Sequence, residues 1–149
     1  MKPPPQGWPR ISPSLNYVHA RSAIDWLCRA FGFEVQMLHE GPDGRVHHSQ
    51  LIYGGGLIMV SEEAQNSAHP ERVQRMSPRS VGGANTIGLM LYVDDVDAHC
   101  ARARAAGARI VTEPKNTDYG PDYWEDRAYE AADPDGHHWW FVQRIRNPN

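Results

Sequence analysis

Scarcity in this 149-residue chain excludes more function classes than any motif in it supports. There are only two cysteines, Cys28 and Cys100, and neither belongs to a Cys-x-x-Cys pair. That argues against structural zinc and leaves buried free thiols as the expected state of both. The charge balance of −3, from 15 basic and 18 acidic side chains, lacks the basic excess that nucleic acid or an anionic membrane surface selects. Arg102 and Arg104 read as a solvated helix face. The opening Met1-Lys2-Pro3-Pro4-Pro5 is proline-rich and has no apolar stretch, so neither a signal peptide nor a membrane anchor is expected there. The expected address is cytoplasmic. No glycine-rich phosphate loop, nucleophile elbow or well-spaced acid pair appears, and covalent hydrolysis is not expected.

What the chain does have is a duplication. The segment from Tyr17 to Val35 returns 75 positions later as the segment from Tyr92 to Ile110, each reading strand, helix, glycine stop, strand. A unit repeated in this way needs its copy to bury its apolar face. In the first copy a strand is expected over 11–18, with Pro13 marking an edge or bulge. A helix over 21–31 places Ala23, Ile24, Leu27, Ala30 and Phe31 on one face and stops at Gly32. Strands over 33–39, 45–53 and 57–60 follow, separated by the turn Gly41-Pro42-Asp43-Gly44 and by Gly54-Gly55-Gly56. The second copy repeats the plan: strand 86–93, helix 96–106 stopped by Gly107, strand 109–112, a loop over 113–122, strand 126–131, the turn Asp133-Pro134-Asp135-Gly136 and strand 137–144. The expected organisation is a flexible leader over 1–10 and a single α+β domain over 11–144. That domain holds module 1 at about 11–62, a linker at about 63–84 with a short helix around Pro70 to Arg75, and module 2 at about 85–144.

Two tandem β-α-β-β-β modules carrying Tyr92-Val93-Asp94-Asp95-Val96-Asp97, Ala106-Gly107-Ala108 and Asp133-Pro134-Asp135-Gly136-His137 followed by Trp139 resemble the vicinal oxygen chelate superfamily. Its members include glyoxalase I, extradiol dioxygenases and the bleomycin-resistance proteins. The resemblance runs from Ile11 to the end of the last strand. It implies a curved mixed sheet from each module forming a cup, usually completed in a homodimer. In the enzymes of that superfamily it also implies one divalent ion held by His, Gln or Glu from the first and last strand of each module. Such an ion polarises a substrate oxygen and needs side chains with available lone pairs.

Mapped onto this chain by the 75-residue offset and by counting from Gly136 and Gly56, the four ligand seats are Pro13, Val60, Gly88 and Trp140. None offers a side-chain ligand, so no metal is expected. Trp140 is either an ordinary core aromatic or a flat indole at the cup floor that stacks an apolar or aromatic ligand in place of the ion. His47 and His48 are adjacent on a strand and must point to opposite faces, so they cannot jointly chelate; His48 and Gln50 share a face and could hydrogen-bond a ligand. Tyr123, Trp124 and Arg127 belong to an aromatic, polar segment that either closes over a planar ligand or is pinned to the sheet. The expected function is metal-free binding of an aromatic or apolar small molecule by a homodimer, with ligand-binding residues Trp140, His48, Gln50, Tyr123, Trp124 and Arg127. The alternatives are a divalent-metal-dependent lyase, isomerase or dioxygenase using displaced ligands such as His48, Glu62 or His138, and an interaction module collapsed around Trp139, Trp140 and Phe141.

Overall fold

The computed structural model describes residues 2–3, 5–64, 71 and 73–148. They divide into two compact units, Met1–Gly82 and Gly83–Asn149. The division falls within the expected linker.

In the first unit β1 (Ser14–Tyr17), α1 (Ala20–Phe31), β2 (Glu34–Glu40), β3 (Val46–Tyr53) and β4 (Gly56–Glu62) build one four-stranded sheet in the order β1-β4-β3-β2. β1 lies parallel to β4 and the other pairs are antiparallel. The helical period puts Ile24, Leu27 and Phe31 of α1 in the core with Leu15, Tyr17, Leu51 and Val60. Gly32, at φ 83°, ends the helix in the left-handed conformation and returns its N–H to the Cys28 carbonyl.

The second unit repeats this with β5 (Leu89–Tyr92), α2 (Val96–Ala105), β6 (Arg109–Asp118), β7 (Glu125–Ala132) and β8 (His138–Arg146), in the order β5-β8-β7-β6. Asp95 caps α2 by accepting from the Ala98 N–H at 2.9 Å. Its core contains Tyr129, Trp139 and Phe141, all 0% exposed. His99 of α2 tilts over Phe141 with ring centroids 4.3 Å apart, and its Nδ1 lies 2.6 Å from the Tyr129 hydroxyl. The α+β class and the doubled β-α-β-β-β plan are both present.

Three details differ from the sequence reading. The segment expected as a loop over 113–122 is instead strand as far as Asp118. β6 is an edge strand with register shifts between Ile110 and Thr112 and between Thr112 and Lys115, and an edge with bulges accommodates Pro114. A 3₁₀ helix at Pro78–Val81 occupies part of the expected linker. The short helix expected at 70–75 falls in part outside the described residues, and Arg75 forms an isolated antiparallel bridge with Ala64.

The duplication is also out of step by one residue ahead of the helices. The helix N-caps His19 and Asp95 are 76 apart, whereas the glycine stops Gly32 and Gly107 are 75 apart. Tyr17, 1% exposed, therefore corresponds to the buried Val93 and not to the half-exposed Tyr92. Val60 is 0% exposed on the core face, and Pro13 is in phase with buried Leu15. The counterparts of the pair Met90 and Trp140 are Ser14 and Met59, which likewise pair across parallel strands. By the same step the counterpart of Gly88 is Ser12, and neither Ser12 nor Met59 is a His, Gln or Glu.

One carboxylate fixes the β7–β8 turn. Asp133 Oδ1 accepts from the N–H groups of Asp135 and His137 at 3.1 and 3.0 Å, and Oδ2 accepts from the Trp139 indole N–H at 3.0 Å. Gly136, at φ 93°, completes the turn, and its carbonyl accepts from Asn85 at 2.9 Å. Asp133→Ala leaves three buried donors without their acceptor and is expected to destabilise the fold by about 2–4 kcal/mol, read as a lowered urea midpoint by tryptophan fluorescence.

Both cysteines are free, Cys100 buried and Cys28 partly so, and burial pushes both thiols above their ordinary value. The thiolate is the reactive form. Alkylation by iodoacetamide at pH 7.5 is expected to be at least about tenfold slower in the folded protein than in urea, with the folded rate still climbing above pH 9.

Candidate functional site

The second sheet has two unlike faces. Residues that alternate with the α2-facing core form the other: Met90 of β5 pairs with Trp140 of β8, Trp140 with Glu130 of β7, Val142 with Ala128, and Ala128 with Lys115 of β6. Over this face lies a hollow of about 390 Å³. Trp140, Met90, Val142 and Ala128 supply its apolar floor, and Lys115, Thr117, Tyr119 and Asp126 its polar side. Trp140 is 37% exposed whereas its neighbour Trp139 is fully buried, the result of strand alternation acting on two adjacent indoles.

At one end of the same face stands a cation clamped by its neighbours. Arg144 donates through Nε to Asp126 at 2.6 Å and through Nη2 to the Tyr92 hydroxyl at 2.6 Å. Its guanidinium carbon sits 5.5 Å from the Tyr92 ring centroid and 5.3 Å from that of Trp124, within cation–π range. Trp124 in turn packs against Tyr119 and Tyr123, at 5.5 and 6.0 Å between centroids. The β6–β7 connection is tied down by Arg146, which donates to Asp118 at 2.6 Å and to the carbonyls of Gly120 and Tyr123. Beside Trp140, His138 Nδ1 meets Glu130 Oε1 at 2.6 Å, and the Thr112 hydroxyl donates to the other oxygen at 3.4 Å.

The six residues expected from sequence are distributed unevenly. Trp140 lines the hollow, and Tyr123 and Trp124 reach it through Tyr119. Arg127 lies on the other face of β7 from Asp126 and Ala128. It makes a bidentate pair with Asp97 of α2 at 2.9 and 2.7 Å and donates to Asn116 at 2.9 Å. The guanidinium hydrogen bonds hold the Asp97 carboxyl below the usual carboxylate range. His48 and Gln50 belong to the first unit, where the buried Gln50 amide nitrogen lies 3.1 Å from His48 Nε2; with Gln50 as donor, His48 carries its proton on Nδ1. Sequence reasoning missed Met90, Lys115 and Thr117. The alternation of Lys115, Thr117 and Tyr119 was the available signal, hidden by Pro114 and Asn116.

The donor set does not fit the superfamily's ion. The strand seats carry no ligating side chain, and among the described residues no three His, Cys, Asp or Glu groups converge closely enough to hold a metal. Of the displaced candidates, Glu62 accepts from the Val46 N–H at 3.3 Å, His138 is held by Glu130 and His48 by Gln50.

The chain belongs to the Glyoxalase/Bleomycin resistance protein/Dioxygenase superfamily, whose profile it matches over residues 12–141. An uncharacterised protein of Mycobacterium tuberculosis is 36% identical over 141 residues, which is 95% of this chain and 78% of that protein. Among solved structures, TioX from Micromonospora sp. ML1 is 30% identical, with a TM-score of 0.66 covering 91% of this chain and 95% of that one. TnmS3, an antibiotic binding protein from Streptomyces sp. CB03234, shares the fold at 23% identity and a TM-score of 0.60, covering 89% and 93%.

Because Arg127 faces α2, Arg127→Met is expected to leave binding of a ligand in the hollow within about twofold of the parent, measured by titration calorimetry, while loosening α2.

Proposed function

We propose that this chain binds a small planar organic molecule over Trp140, sequestering or recognising it without a metal ion. The carrying observation is the partly exposed indole on the floor of a hollow whose size suits a ligand of one to a few rings. Stacking on an exposed aromatic face gives affinity without demanding a particular functional group. The mapped seats favour a metal-free site, since Gly88, Trp140 and the corrected positions Ser12 and Met59 supply none of the superfamily's ligands. TnmS3, described as binding an antibiotic, supports a small-molecule role on the same fold. A homodimer belongs to the reading, with Met90, Tyr92, Tyr119 and Tyr123 as large half-exposed side chains available to border a shared site. A cytoplasmic address is kept as part of it, and no helix of the described residues is long and apolar enough to cross a membrane.

The test pairs elemental analysis with calorimetry. Purified protein, before and after dialysis against a mild chelator, is expected to hold no stoichiometric divalent ion, and to bind planar aromatics equally well in both states. Trp140→Ala should weaken that binding by about tenfold. One tightly held ion per subunit, lost together with activity on chelation, would instead establish a metal-dependent enzyme of displaced ligands.

A further inference from the structure

The charged groups around the hollow are almost all neutralised by partners within the same unit. Asp126 is paired with Arg144 and Asp118 with Arg146, both at 2.6 Å, and Glu130 lies 2.6 Å from His138, a contact that is an ion pair only when the imidazole is protonated. On the opposite face Arg127 is paired with Asp97 and Arg104 with Glu113, both at 2.7 Å. Lys115 differs. Its side chain lines the hollow and has no hydrogen bond or ion pair among the described residues. Its cross-strand neighbour is Ala128, whose methyl group neither shields the ammonium nor competes for it. The hollow therefore combines an apolar aromatic floor with a lysine ammonium that has no carboxylate partner among the described residues.

Resting on the reading of the hollow as a ligand site, we infer that its ligand is an organic anion: a flat aromatic ring bearing a carboxylate or phenolate oxygen that pairs with Lys115 while the ring stacks on Trp140. The spacing fits. Lys115 on β6 is level with Val142, two residues along β8 from Trp140, so two strand spacings and that offset put the two about 12 Å apart across the sheet, and a lysine stem reaches inward over roughly half of that. The remaining gap is spanned by one or two fused rings carrying an acid group. A lysine makes a compact, rotatable point charge that tolerates several acid geometries, which selects for charge more than for shape. The alternative for Lys115 is a solvated edge lysine with no part in recognition.

Paired probes separate these. 2-Naphthoate and 2-naphthamide share ring area and differ in charge, and each is titrated by calorimetry into the parent, Lys115→Met, Lys115→Arg and Trp140→Ala proteins. The expected result is that the parent prefers naphthoate by about three- to tenfold at low salt, a margin that shrinks in 0.5 M salt. Lys115→Met should erase the preference for naphthoate over naphthamide, while Lys115→Arg retains it. Equal binding of the two probes to the parent, or a preference that survives Lys115→Met, overturns the assignment of the anion to Lys115 and leaves the stacking site intact. Failure of both probes, or binding that is indifferent to Trp140→Ala, overturns the site itself and this inference with it.

Discussion

Everything the second unit offers to a ligand depends on the register of β8, and that register is held at its start by one buried carboxylate. Asp133 closes the turn through two backbone donors and fastens the Trp139 indole through a third. Because side chains alternate along a strand, a slip of one residue would exchange Trp139 and Trp140 between the core and the open face. The turn and the indole are thus mutually dependent. Trp139 can be buried only with its N–H satisfied, and the group that satisfies it is the one that sets the phase placing Trp140 outward. A motif that reads in sequence as a turn signal serves in the structure as the reference point for the sheet.

The legible parts of this protein were those governed by short periodic rules. The α1 stripe of Ile24, Leu27 and Phe31, the glycine stops and the Asp133-to-Gly136 turn all follow from local chemistry, and so does the duplicated plan they define. Trp140 was placed by counting from Gly136, and in the structure it is partly exposed and lines the hollow. Less legible were features that depend on strand phase across distance. The 75-residue offset holds at the glycine stops and fails by one at the N-caps, enough to put Pro13 in phase with the core, and the count from Gly56 ended on Val60, which is also on the core face. Arg127 was readable as a cation near aromatics, but only the tertiary contact with Asp97 shows which face of β7 it occupies. β6 was hidden because Pro114, Asn116 and Asp118 disfavour strand, a preference that an edge position with register shifts overrides.

On the proposed reading, an indole in place of a ligating side chain changes what the fold can select. A divalent ion rewards vicinal oxygens at fixed geometry, whereas an aromatic floor rewards ring area. Neighbouring charges then decide what accompanies the ring. Most are consumed internally here, with Arg144 held between Asp126, Tyr92 and Trp124 as a rigid wall and not a free binding group. Specificity is left to the few polar groups that retain spare valence, and a floor of this kind tolerates variation in them without loss of the fold.

β6 has a further consequence, for self-association. It is the outer strand of its sheet, and an uninterrupted outer strand presents a row of unsatisfied backbone groups that recruits strands from other molecules. Here the row is broken at Pro114, which has no N–H, twisted by two register shifts and flanked by the charge of Lys115. The same irregularity that concealed this strand in the sequence guards the open border of the sheet against runaway β-pairing in a crowded cell.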